Sequence, residues 1–155
     1  MPTFEPRNPD FRAAVSRRVV AQGYLTLLGV ELTALEPGSA EFHVPYRPDI
    51  GQQNGFFHGG VVGGIAEAVM GAAAATLVAA DANILGAEYT VNLLAPGVGT
   101  ALHAVGEVIK PGRRLIVCRA DIFAVAEDGT STLCAIAQGA MAAIEGGSGS
   151  AATGR

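Results

Sequence analysis

From residue 8 to 22 apolar positions recur at helical spacing, with Phe11, Val15, Val19 and Val20 on one face and Arg12, Arg17 and Arg18 off it. Gly23 reads as the stop, so residues 1–23 are expected to form an N-terminal leader helix. Residues 24–35 are apolar and partly β-branched, Glu36-Pro37-Gly38 makes a turn, and Ala40, Phe42, Val44 and Tyr46 then alternate with Ser39, Glu41 and His43. That pattern predicts a hairpin. A Pro/Gly/Asn/Gln loop over residues 47–57 feeds residues 59–80, which are apolar on every side and carry one charge, Glu67. Strand character resumes over 84–94, 101–109, 115–126 and 133–144, with breaks at Pro96-Gly97, at Lys110-Pro111-Gly112-Arg113-Arg114 and at Asp128-Gly129. The last of these is a two-residue hairpin signal. In the third strand Ile116, Cys118, Ala120, Ile122 and Ala124 share a face, and Arg119 and Asp121 point the other way.

The order is leader helix, two strands, one long buried helix and four strands. A helix apolar all round must be covered on several sides, and an antiparallel sheet curled around it does this. Ala135, Ala137 and Gly139 allow close approach. The fold class expected is therefore α+β, an antiparallel sheet wrapped on a central helix. Residues 24–145 form that domain, and the Gly/Ser-rich residues 146–155 read as a flexible tail. Residues 59–80 are long enough to span a bilayer, and Gly59/Gly63 and Gly60/Gly64 have the spacing of membrane helix pairs. Glu67 and the absence of a flanking Lys/Arg cluster speak for a buried helix instead.

Composition changes the picture in three ways. Half of the 155 residues are apolar and only 15% are charged, against ~25% in ordinary soluble domains, so a subunit interface is expected to absorb the surplus. A net charge of −4 disfavours a nucleic-acid partner. Cys118 and Cys134 lack metal-ligand or dithiol spacing and read as buried reduced thiols, so no metal is expected. The first residues show no secretory pattern, which places the chain in the cytoplasm, with no membrane partner.

Glu67 is the most informative residue. A carboxylate inside an apolar helix must find a partner such as Arg119, reach a wet strip, or shift its pKa upward for use in chemistry. His58-Gly59-Gly60 opens the same helix, where unpaired N–H groups and the positive dipole end face outward. Glycine there lets a carbonyl approach the main chain, an oxyanion-hole arrangement suited to acyl transfer. His58 is read either as a cap of the helix or as an orienting group. Gly59 and Glu67 are eight residues apart, roughly 12 Å along a helix. They act on one bond only if one subunit supplies Gly59 and its partner Glu67, across a two-fold axis.

Gln52-Gln-Asn-Gly-Phe-Phe-His-Gly-Gly60, the helix with Glu67, Glu88-Tyr-Thr-Val-Asn-Leu-Leu-Ala-Pro96 and Gly112-Arg-Arg-Leu115 together resemble the hotdog-fold acyl-CoA thioesterases of the phenylacetate-pathway and 4-hydroxybenzoyl-CoA type. The resemblance covers residues 25–144. It implies a hotdog fold, Glu67 as nucleophile or general base, the Gly59 amide as carbonyl polariser, Gln52 positioning water or thioester, and His58 beside the site. Where relatives bear a hydroxyl residue, this chain has Gly71 and Gly86, which leaves open what holds the attacking water, with Asn54 and Thr76 as candidates. Gly60, Phe57 and Met70 are expected near the substrate, and Lys110, Arg113 and Arg114 are expected to meet coenzyme A phosphates. No cofactor beyond the substrate's own coenzyme A is expected. A homodimer is the minimum unit and a homotetramer the expected assembly. A non-catalytic acyl-CoA binding module remains an alternative; a hotdog dehydratase fits less well because Gly-Gly-Val-Val follows His58, and no GxSxG elbow is present.

Overall fold

The computed structural model describes residues 4–144. The elements run α1 (Phe11–Ala21), α2 (Gly23–Leu28), β1 (Glu31–Glu36), β2 (Ser39–Pro45), a 3-10 turn (Pro48–Ile50), α3 (Gly59–Ala75), β3 (Asn83–Leu93), β4 (Ala101–Lys110), β5 (Leu115–Val125) and β6 (Ser131–Ile144). The strands form one antiparallel sheet in the order β1-β2-β4-β5-β6-β3. Helix α3 touches β2, β3, β4, β5 and β6. One helix reaches five neighbouring strands only when the sheet curls around it, so the expected α+β wrap is what the chain adopts.

Period-two alternation builds the sheet face that meets α3. Ala40, Phe42 and Val44 of β2, Leu102 and Ala104 of β4, and Ile116, Cys118, Ala120, Ile122 and Ala124 of β5 are all buried. Ile65, Ala66, Val69, Met70 and Ala73 of α3 face them with no exposed surface. Contact is closest at Gly106, where a Cβ would lie 2.5 Å from the Val69 carbonyl oxygen. Only glycine lets the strand backbone come this near the helix. Burial raises both cysteine thiols, Cys118 to about 12, so they behave as small apolar groups.

The N-terminal segment departs from expectation in one respect. α1 buries Phe11, Val15 and Val19 as its periodicity implies, but Val20 points to solvent. The leader helix ends beside the expected stop, at Ala21 with Gln22 in extended backbone, but Gly23 then starts α2, and Tyr24 to Leu28 is helix rather than strand. Leu25 and Leu28, three apart, are its buried pair, and Gly29 with φ +71° ends it. Strand β1 therefore begins only at Glu31. Arg12 donates to the Leu35 carbonyl and pairs with Glu36 at 2.6 Å, and Arg18 donates to the Ala82 carbonyl at 2.6 Å. Both contacts lie near the C-terminal end of α3, since the turn after Glu36 is held to Thr76 through the Gly38 N–H and Ala82 follows Ala75.

Two smaller differences follow from turn chemistry. The β5–β6 hairpin closes through Ala126 N–H to Thr130 carbonyl (2.9 Å) around a three-residue loop with Gly129 at φ +84°, not a two-residue turn. Helix α3 stops at Ala75, short of residue 80. The tail expected over residues 146–155 lies outside the described residues. Among the described residues no helix is long and apolar enough to cross a membrane. Gly106→Ala is expected to lower unfolding free energy by ~1–3 kcal/mol, because the added methyl must push β4 off α3; urea denaturation checks this, and unchanged stability would contradict the close contact.

Candidate active site

The start of α3 is built so that one amide stays free. The His58 carbonyl accepts from Val61 N–H (2.9 Å) and Val62 N–H (3.1 Å), and the His58 Nδ1 accepts from Gly60 N–H at 2.9 Å. Among the described residues, Gly59 N–H has no acceptor. His58 is thus the helix cap, the plainer of its two expected readings, with Nδ1 as the accepting atom. Gly59 faces a pocket of about 480 Å³ that it shares with Gln52, Phe57, Leu93 and Pro96. A Cβ at residue 59 would meet the Leu93 side chain at 3.1 Å.

Gln52 lines this pocket and is held in place by local hydrogen bonds. Its Oε1 accepts from Asn54 N–H at 2.7 Å, and Gly55 N–H donates to the Gln52 carbonyl at 3.0 Å. The side-chain amide nitrogen is left to donate. Asn54 itself is exposed and contributes its main chain; it holds Gln52 rather than a ligand. Phe57 is buried, edge-on to Tyr46 at 5.1 Å, and forms a pocket wall.

Glu67 lies two turns further along α3 and opens into a different pocket, of about 670 Å³, lined by Tyr24, Gly60, Gly64, Gly86 and Tyr89 among others. Its carboxylate sits against Gly86, where a Cβ would be 2.5 Å from Oε1. A bulge at Ala87, between the pairs Gly86–Met141 and Glu88–Ala140, turns the strand at this point. Glu67 has no ion-pair partner among the described residues. Arg119 pairs instead with Glu107 (3.2 Å) and Asp121 (3.0 Å) on the outer sheet face. Burial pushes the Glu67 carboxyl above the ordinary carboxylate range.

Two residues of this pocket were not read from the sequence. Tyr24, expected in a strand, stands on α2 with its ring on Gly64, so close that a Cβ there would be 2.4 Å from the hydroxyl. Burial first, then the nearness of Tyr89 and Glu67, raises the Tyr24 pKa. Tyr89 comes from the β3 face opposite Gly139. The usable signal was the Leu25/Leu28 spacing ending at Gly29, which sets Tyr24 on a helix.

The remaining candidates divide. Gly71 lines a cavity that also reaches Glu67. Met70 has no exposed surface, belongs to the core cluster, and does not line the pockets at Gly59 or Glu67. Thr76 is fully buried, its hydroxyl donating to Ala73 O and accepting from Gly38 N–H, both at 2.7 Å, which removes it as a water holder. Lys110, Arg113 and Arg114 are exposed on the β4–β5 turn, just beyond the strand row that joins Ile116, Met141 and Gly86. They stand at the Glu67 end of the sheet.

A carboxyl whose folded pKa exceeds its unfolded value, ~4.3, binds its proton more tightly in the folded state. Stability then falls as pH rises across the window between the two values and returns on acidification. Unfolding midpoints of wild type and Glu67→Gln are expected to converge below about pH 4, with the variant the more stable toward neutrality. Parallel pH profiles would contradict the buried charge.

Comparison with known proteins bears on the family and the fold. The thioesterase superfamily model matches residues 54–130. A thioesterase family protein from Silicibacter pomeroyi is 32% identical, with 88% of this chain and 99% of that one covered at a TM-score of 0.86. A thioesterase from Haemophilus influenzae shares 23% identity over 83% of this chain and 87% of that one, TM-score 0.73. The PaaI protein from the E. coli phenylacetic acid degradation operon shares 17% over 90% and 97%, TM-score 0.76, a likeness of fold. Comparison with curated proteins gives no match. This chain belongs to the thioesterase family and is a thioester hydrolase with the hotdog fold.

Proposed function

We propose that the substrate is an acyl- or aryl-CoA thioester, hydrolysed to free acid and coenzyme A at a site shared by two copies of the chain. The observation that carries this is the separation of the Gly59 N–H, which has no acceptor among the described residues, and the half-buried Glu67 into different pockets of one helix. Neither half reaches the other within a protomer. Strand β3 connects them, with Leu93 beside Gly59 and Gly86 beside Glu67. It is also the sheet edge, and Leu85, Leu93 and Leu94 are 56%, 58% and 53% exposed on or beside it. An exposed apolar edge is a pairing surface. A two-fold axis near Tyr89 and Thr90 sets Leu93 of one copy beside Gly86 of the other, so each Gly59 meets the opposite Glu67.

In this arrangement the Gly59 N–H and the Gln52 amide donate to the thioester oxygen as negative charge develops there. Glu67 attacks the carbonyl carbon or takes a proton from the attacking water. On the water route the carbon–sulfur bond breaks as the proton passes from Glu67 to the leaving sulfur. On the attack route coenzyme A leaves as thiolate, and water then cleaves the Glu67 mixed anhydride, giving the free acid, the restored carboxylate and the proton that the thiolate takes up. Lys110, Arg113 and Arg114 receive the phosphates of coenzyme A, and no further cofactor enters the reaction. The outer sheet face, with exposed Leu115, Leu133 and Ile136, supports pairing of dimers into a tetramer.

Glu67→Gln is expected to remain folded and to lose roughly 10²–10⁴-fold in kcat, with KM little changed, in thiol-release assays on acyl-CoA substrates. Because the Glu67 pKa is raised, the acidic limb of the wild-type rate profile should lie above the ordinary carboxylate range. Wild-type turnover in the variant would remove Glu67 from the chemistry.

A further inference from the structure

A third cavity, of about 440 Å³, runs between α1 and α3, and Glu67 is on its wall. Val15 and Val19 line it from α1, and Ala68, Gly71, Ala72 and Ala75 line it from α3. It exists because the α3 residues facing α1 are all small. At Gly71 an added Cβ would meet nothing within 4 Å. Apart from Glu67, the polar side chains Arg18, Gln22 and Asn83 of the lining are engaged: Arg18 donates to the Ala82 carbonyl at 2.6 Å, Gln22 donates to the Arg18 carbonyl at 3.4 Å, and Asn83 is likewise partnered. Such a cavity offers little to a charged or hydroxylated guest and much to an apolar one.

We propose that this cavity holds the acyl chain of the substrate, that the preferred acyl group is apolar and of medium length, and that Gly71 determines how long it can be. The proposal rests on the reading of Glu67 as the group acting on the thioester. With the carbonyl carbon at Glu67, an extended chain runs along α3 toward Ala75, roughly 12 Å of helix. Its methylenes lie against Val15, Val19 and the alanine stripe. A carbon atom placed on residue 71 projects into that path. α1 is then more than a leader: it forms one wall of the specificity pocket.

The test is the ratio of kcat/KM values along a saturated acyl-CoA series from acetyl to dodecanoyl, for wild type, Gly71→Val and Gly71→Leu. Wild type should favour medium chains. Both variants should lose roughly 10–200-fold on those chains relative to acetyl-CoA, with the optimum moving to shorter ones. An unchanged chain-length profile in folded Gly71→Leu would overturn the proposal. Glu67→Gln with an acyl-CoA bearing a diazirine at its chain end gives an independent readout. Photo-adducts on α1 or on residues 71–75 support the assignment, and adducts confined to Phe56, Leu94 or Pro96 in the Gly59 pocket overturn it. Full turnover by Glu67→Gln would instead defeat the reading of Glu67, which separates the two failures.

Discussion

A helix does not bend to suit its chemistry, and the distance between Gly59 and Glu67 is therefore fixed. The two groups sit on α3 eight residues apart, roughly 12 Å of axial rise, and open into separate pockets. A thioester carbonyl is far smaller than that gap. Any scheme that uses both a main-chain donor and a carboxylate on one bond must bring in a second copy, and the exposed β3 edge that links the two half-sites is the surface along which it can come.

The same small residues serve packing and chemistry. Glycine at residue 106 lets the sheet close on α3, and glycines 64 and 86 make room for the Tyr24 ring and the Glu67 carboxylate. Alanines and glycine on the opposite stripe leave the cavity beneath α1. Capping contributes as well, because His58 satisfies the amides after Gly59 and leaves that one free at the positive end of the helix dipole. Among the described residues the acid has no ion-pair partner, and its pKa is raised by burial.

Much of this was legible in the chain. The alternation of Ala40, Phe42 and Val44 and of Ile116 through Ala124 set the strand faces, and a lone carboxylate in an all-apolar helix singled out Glu67 as the candidate, which the fold places in a pocket. Residues 24–28 misled because short apolar runs carry no clear period, and only Gly29 distinguishes a helix that ends there from a strand that continues. Tyr24 was hidden for that reason. Met70 misled because sequence shows that it lies near Glu67 but not which side of the helix it faces; it belongs to the core cluster. The cavity under α1 was invisible for a different reason, since it is made by side chains that are absent.

Complementation between copies tests the shared site most directly. Gly59→Pro deletes the one free amide at a first-turn position where proline is well tolerated, and His58 already has the extended backbone that proline requires of its predecessor. Each of Gly59→Pro and Glu67→Gln should be nearly inactive alone. Refolded together in equal amounts, they should form mixed dimers with one doubly impaired and one intact site, returning about a quarter of wild-type thiol release by random pairing of symmetric subunits. A mixture no more active than its parents would show that both groups act within a single chain.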